Sequence, residues 1–385
     1  MLICILYRLN LVVINSIPAV YPQIRTFFAT VFFTLLLFCF SGVNGQADTV
    51  SKPYNVLLLP VIARSIETNW SFGSAASLTF HPRLREKNLR TSNLQALALY
   101  SLHKQFVVAV NGSIYFPAEK FIINQQLSYS YYPDKFWGIG GSAPDSNEEH
   151  YSYKQYYIFL HPQVNLGNRI YLGLLYEFQR LFDVHYTAGG LFDQQDVVGR
   201  YGYHVSGLGL SFTYDTRNNA FSADQGMMLQ FYFNHFANYF GSDFQYTNFV
   251  LDARKFIKTY KEQVVAMQAY GFFNAGEVPL RSLALLGGSG KMRGYYEGRY
   301  RDKNLIVFQT EYRIPIYWRI GTVLFGDFGN VASKLSGFDF QSLKYSYGGG
   351  IRIALNQSEK LNLRLDYGIA PGSSNGFYLQ LGEAF

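Results

Sequence analysis

Charge is scarce in this chain. Asp, Glu, Lys and Arg make up 15% of its 385 residues, where a soluble enzyme of this size carries about 25%. Thiols are scarcer still. The two cysteines, Cys4 and Cys39, both fall in the first 45 residues. The rest of the chain therefore has no disulfide framework, thiolate metal site or cysteine nucleophile. Beyond residue 45 no apolar run approaches the roughly 20 residues of a membrane-spanning helix, which excludes a helical membrane protein. No Lys/Arg block is dense enough for a nucleic-acid partner.

Aromatic residues are abundant. There are 32 Tyr and 34 Phe, 18% aromatic with the tryptophans, alongside 35 Gly. Mean hydropathy is −0.02. Near-neutral hydropathy with many aromatics suits a barrel that is apolar outside and polar inside, with aromatic girdles at both membrane interfaces. A large soluble all-β protein shares this composition, so strand number and spacing must decide.

Residues 26–45 form a signal-peptide-like apolar stretch after Arg25, and Val43 and Gly45 set a cleavage site before Gln46. A second apolar run, Leu2 to Val20, precedes it, as though Met1 were an upstream start. The alternative is a retained N-terminal membrane helix. Phe38 before Cys39 argues against lipoprotein processing. Cleavage removes Arg8 and Arg25 and no acid, so the net charge falls from +7 to +5. That fits contact with outer-membrane lipid and lipopolysaccharide phosphates or an anion-leaning lumen. The expected organisation is a signal peptide over 1–45, a short periplasmic segment over 46–55 and a barrel domain over 56–385. About ten residues before the first strand leave no room for a periplasmic module.

The period is 2 almost throughout. Leu208, Leu210, Phe212 and Tyr214 alternate with Gly207, Gly209, Ser211 and Thr213. Leu361, Leu363, Leu365 and Tyr367 alternate with Asn362, Arg364, Asp366 and Gly368. Strands are predicted at 56–65, 71–80, 92–102, 104–115, 120–131, 151–163, 169–181, 203–215, 226–239, 243–257, 261–275, 303–314, 318–328, 343–355, 359–369 and 376–385. This is an all-β, antiparallel transmembrane barrel of sixteen strands. An even count puts both mature termini on the periplasmic side of a bacterial outer membrane. Short connections near 103, 164–168, 216–225, 258–260, 315–317 and 356–358 are expected as periplasmic turns. Longer ones at 81–91, 132–150, 182–202, 276–302 and 329–342 are expected as extracellular loops.

The 276–302 loop reads Leu286-Gly287-Gly288-Ser289-Gly290-Lys291-Met292-Arg293-Gly294-Tyr295-Tyr296. A strand with Gln309-Thr310-Glu311-Tyr312-Arg313 follows, then one with Phe325-Gly326-Asp327. Period 2 turns Val307, Gln309, Glu311 and Arg313 inward, and likewise Phe325 and Asp327. A loop folded into the lumen would bring Arg293 to two carboxylates from different strands, with Gly294 bending the backbone beside it. The alternative is a loop cation exposed to solvent. At the C-terminus Phe377, Leu379 and Leu381 alternate up to Gly382 and the terminal Phe385.

These segments resemble the C-terminal barrel of the bacterial surface-antigen superfamily. Its members include the Bam and Tam outer-membrane assembly factors and the two-partner secretion transporters. The family loop motif, a branched apolar residue followed by Arg-Gly-aromatic, is matched by Met292-Arg293-Gly294-Tyr295, with Met a mild departure. Glu311, Phe325-x-Asp327 and the C-terminal Leu381-Gly382-Glu383-Ala384-Phe385 match in order, and Tyr214 to Asn219 resembles a family hairpin. The match is good over 203–385; over 50–200 only the strand pattern agrees. The resemblance implies insertion or translocation of protein or lipid at the outer membrane, through a weak seam between first and last strands. It also implies the barrel assembly machinery for the chain's own insertion and a separate periplasmic partner. Gly382 would either relieve crowding or weaken that seam. The alternative function is a passive small-solute pore, or an anchor for a partner protein.

Other motifs carry less. Gly287-Gly288-Ser289-Gly290-Lys291 fails as a phosphate loop, because Met292 replaces the Ser/Thr and the leading Gly is missing. The adjacent Glu148, Glu149 and His150 cannot converge on one ion. His103, His161, His204 and His235 could sit near a rim, yet nothing singles out a nucleophile. No enzymatic activity, cofactor or metal is expected.

Overall fold

The computed structural model describes residues 54–80, 92–219, 222–357, 360–372 and 374–385. The signal peptide, the cleavage site and the 81–91 connection lie outside these residues.

Sixteen antiparallel strands close into one barrel. They are β1 (Tyr54–Ser65), β2 (Asn69–Phe80), β3 (Ser92–Ser101), β4 (Phe106–Tyr115), β5 (Phe121–Phe136), β6 (Glu149–Gly167), β7 (Ile170–Tyr186), β8 (Tyr203–Asp215), β9 (Gly226–Phe236), β10 (Tyr246–Lys258) and β11 (Val264–Gly276). Two three-residue strands, β12 (Ala284–Leu286) and β13 (Tyr300–Asp302), pair with each other inside the following loop. The wall resumes with β14 (Asn304–Tyr317), β15 (Ile320–Ala332), β16 (Lys344–Asn356), β17 (Leu361–Ala370) and β18 (Ser374–Leu381). Every predicted strand corresponds to one wall strand. Closure follows from the solvent: in lipid an unpaired backbone group costs several kcal/mol, so a spanning sheet must remove its edges.

Side chains sort by parity, as the strand pattern requires. On β8, Leu208, Leu210 and Phe212 are exposed on the outer wall, while Gly207, Gly209, Ser211 and Thr213 are buried within. On β14, Phe308 and Tyr312 face out and Val307, Gln309, Glu311 and Arg313 face in. Exposed Tyr54, Tyr260, Tyr317 and Trp318 mark the rim nearest the chain termini, where amphipathic rings suit a membrane interface.

Up-and-down alternation corrects one connection. A tight turn at 66–68 joins β1 to β2 at the end opposite the termini. β3 starts beside the end of β2, at the termini end, so the short link around His103 lies at the far end. Length suggested the reverse; alternation fixes the side regardless of length. The far end also carries the links over 137–148, 187–202, 277–303 and 333–343. There a buried cluster including Phe136, Tyr151, Tyr153, Leu181, Phe192 and Leu280 packs the loops over the barrel mouth.

The predicted last strand, 376–385, ends early. β18 stops at Leu381, and Gly382 adopts φ +85°, a left-handed conformation that favours glycine. Nothing lies within 4 Å of where a Cβ on Gly382 would sit, so crowding is not its reason. The turn carries the tail inward. Phe385, which strict alternation would have placed against lipid, packs on Ala223, Phe256 and Ala266 instead.

The wall is unevenly sealed. Among the described residues β1 and β18 share one register pair, Arg64 with Leu379. On either side, β1 and β2 share twelve pairs and β17 and β18 share eight.

Candidate functional site: the lumen loop and the seam

The 277–303 loop descends into the lumen rather than extending from the barrel. Leu286, Met292 and Tyr295 are buried against Leu305, Val307, Val331 and Ala370 of the wall. Met292 at φ +55° and Gly294 at φ +109° flank Arg293 and turn the chain sharply around it. A Cβ on Gly294 would come 2.9 Å from the Ala370 nitrogen, and one on Gly368 would come 2.6 Å from the Arg293 carbonyl carbon. The loop backbone thus lies directly on β17, an approach only two facing glycines allow.

That approach aims the Arg293 side chain. Its guanidinium, fully buried, donates to Glu311 at 2.7 Å and to Asp366 at 2.8 Å. Its carbon lies 3.6 Å from the centre of the Phe325 ring, a cation–π contact strengthened by the absence of water. The second carboxylate is a correction. Asp327 was the sequence-based partner, but it makes no ion pair with the guanidinium; its carboxylate faces the Arg293 main chain and Ser346. Docking on β17 brings Asp366 to the guanidinium instead. Met292 N–H donates to Gln309 at 3.2 Å, and the Tyr295 hydroxyl donates to the Tyr345 carbonyl at 3.3 Å.

The charge network runs further than sequence reasoning reached. Glu311 also accepts from Arg313 at 2.8 Å. Arg352 donates to Asp366 and, at 2.7 Å, to Glu383 in the inturned tail. Asn362 donates to the same Glu383 at 2.7 Å, and Arg313 to the Phe385 carbonyl at 3.3 Å. Arg364 holds the Ser289 carbonyl of the loop at 3.0 Å. Arg293, Arg313, Arg352 and Arg364 thus mesh with Glu311, Asp366 and Glu383. Arg364 and Asp366 were legible as inward-facing. Arg352 and the tail contacts had no sequence signal, because they depend on the turn at Gly382.

The same loop spans the seam from inside. Gly294 N–H donates to the Tyr378 hydroxyl of β18 at 2.9 Å. Three residues on, Glu297 N–H donates to the Glu67 carboxylate at 2.9 Å, in the turn that ends β1. A single loop segment therefore holds both sides of a seam that has one register pair of its own. Of the histidines, His161 meets Ser211 at 2.6 Å on the lumen face, and His103, His204 and His235 are tied to Glu67, Asp243 and Thr247.

The Omp85 superfamily domain matches residues 115–385. The chain belongs to the Omp85 superfamily. The match reaches further upstream than the motifs over 203–385 indicated. Solved structures share the fold of this Omp85 barrel. BamA from Haemophilus ducreyi, in a structure lacking POTRA domains 1–3, is 15% identical with a TM-score of 0.56, covering 86% of this chain and 70% of that one. CdiB from Acinetobacter baumannii is 13% identical with a TM-score of 0.54, covering 85% of this chain and 60% of that one. CdiB from Escherichia coli is 11% identical with a TM-score of 0.59, covering 87% and 63%. The chain thus spans less than two thirds of either CdiB. A search of curated proteins finds none that matches.

Two outcomes are expected of this Omp85 site. Arg293→Ala leaves Glu311 and Asp366 short of a buried partner, a loss of about 3–5 kcal/mol. Limited proteolysis should then cut within 277–303 while the barrel stays heat-modifiable on cold gels; unchanged sensitivity of the loop would refute its anchoring by Arg293. The second concerns Glu67, whose carboxyl burial pushes up to about 7. A carboxyl with a raised folded-state pKa contributes stability that is complete below its ordinary range near 4.5 and lost as pH rises through about 7. Protection against hydrogen exchange around 66–68, taken relative to the intrinsic exchange rate at each pH, should therefore fall across neutrality, and Glu67→Gln should flatten that dependence.

Proposed function

We propose that this Omp85 barrel assists insertion or translocation of a protein, or a lipid, at the bacterial outer membrane, by opening sideways between β1 and β18. Both mature termini face the periplasm in this reading, and a separate periplasmic partner delivers the client. The observation that carries it is the seam: one register pair, against eight or more at the neighbouring junctions.

The energetics favour a gate at this place. Opening a junction of eight to twelve pairs would strip many backbone hydrogen bonds in lipid, each worth several kcal/mol there. Opening a one-pair junction strips few, and an incoming strand can pair with the freed edge. The buried loop then acts as the restraint. Either its bond to Tyr378 on β18 or its bond to Glu67 beside β1 must break before the strands separate, so the loop's hold on the two sides and the opening of the seam are linked. A loop packed in the lumen also suits a closed resting state better than a passive pore.

Locking the seam tests the proposal. The register of Arg64 on Leu379 sets Ala63 opposite Gln380, and no cysteine follows Cys39. Ala63→Cys with Gln380→Cys should therefore give one disulfide. Oxidised, the double variant should lose client insertion or export at least tenfold, and reductant should restore it. Full function in the oxidised form would sink the lateral gate. In the host, depleting the protein should lower or unfold other outer-membrane barrels on folding-state gels if it is a general insertase; a normal proteome would restrict it to a dedicated client.

A further inference from the structure

The outer face of the seam carries a charge that no carboxylate among the described residues meets. On β1 the even-numbered residues face outward: Tyr54, Val56 and Leu58 are among the most exposed apolar side chains of the barrel. Parity puts Arg64 on that same face, next to outward-facing Trp70 of β2 and Phe377 of β18. Its guanidinium lies 5.3 Å from the Trp70 ring centre and 5.5 Å from that of Phe377. Among the described residues it has no carboxylate and no hydrogen-bond partner.

Position explains how an unpaired cation survives there. Arg64 stands ten residues along β1 from interfacial Tyr54. At about 3.3 Å per residue and a tilt of about 40° that is roughly 25 Å of height, the thickness of a barrel's apolar band. Arg64 therefore reaches the far membrane interface, at headgroup level. A cleft of about 500 Å³ opens at this point, lined by Arg64, Asn69, His103, Tyr367, Asn375 and Phe377. Its wall thus offers one guanidinium, amide donors from Asn69 and Asn375, and aromatic faces for acyl or sugar surface. The His103 ring is held in place by its Nδ1, which donates to the Glu67 carbonyl at 2.8 Å.

We infer that this cleft binds the phosphorylated headgroup of an outer-leaflet lipid, with Arg64 as its anchor. A phosphate supplies the missing counter-charge, and a planar guanidinium engages it with two parallel donors. The cleft straddles β1–β2 and β17–β18, so the headgroup sits on the junction proposed to open. Its placement rests on the reading that the termini are periplasmic. Headgroup binding is read without any client, so it fails or holds separately from gating.

The test uses the full mature protein purified in dodecyl maltoside, with diphosphorylated lipid A and its phosphate-free form as probes, read by native mass spectrometry. Wild type should retain the phosphorylated form and release the other. Arg64→Gln should weaken retention about tenfold, and Arg64→Lys should restore part of it. Arg180 supplies the control: it is also outward-facing, stacked on Phe182 at 5.6 Å, but does not line this cleft. Arg180→Gln should leave retention unchanged. Heat-modifiability on cold gels confirms that each variant is folded. Equal retention by Arg64→Gln, an equal loss in Arg180→Gln, or displacement of the lipid by millimolar inorganic phosphate would each overturn the assignment.

Discussion

A guanidinium and two carboxylates, all without solvent contact, hold the inside of this barrel in place. Isolated, any of these charges would be prohibitively costly to bury. Together they are tolerable only in one geometry, and that geometry fixes the loop. Arg293 cannot reach Glu311 and Asp366 unless the loop backbone lies flat on β17, and it lies flat only because Gly294 and Gly368 face each other. Such networks add little net stability relative to an apolar core, but losing one member is expensive. The arrangement is better suited to selecting one docked state than to strengthening the wall.

From that docked state the seam inherits its closure. Backbone pairing, which seals every other junction, contributes one register pair between β1 and β18. The compensating bonds come from the loop, to Tyr378 on one side and Glu67 on the other. The tail is tied to the same charges from the β18 side. Glu383 turns inward at Gly382 and joins Arg352, which also holds Asp366. The end of the strand that forms the seam and the loop that spans it therefore share one set of buried charges. Movement at either place disturbs the other, a physical coupling through named contacts rather than through proximity alone.

Likeness to BamA and CdiB barrels establishes the fold at 11–15% identity, and fold alone does not assign a client. The functional reading comes from the seam and the loop, where an ordinary barrel rule is broken. A pore has no need of a junction with almost no backbone pairing, or of a lumen filled by its own longest loop.

The sequence by itself determined the barrel, its sixteen wall strands and, on the strands with clean alternation, which face meets lipid. Period-2 alternation and strand pairing are local properties, set by the pleat and by the cost of an unpaired backbone in lipid. It also singled out Met292, Arg293, Gly294, Tyr295, Glu311 and Phe325, because motif and parity together placed them in one lumen. Only the tertiary structure decided the rest. Which carboxylate meets Arg293 depends on where the loop backbone rests, so Asp366 replaces Asp327. Where Phe385 points depends on a single positive φ at Gly382, which alternation cannot register. How weakly β1 meets β18 depends on the shape of the closed ring, and no strand encodes that alone.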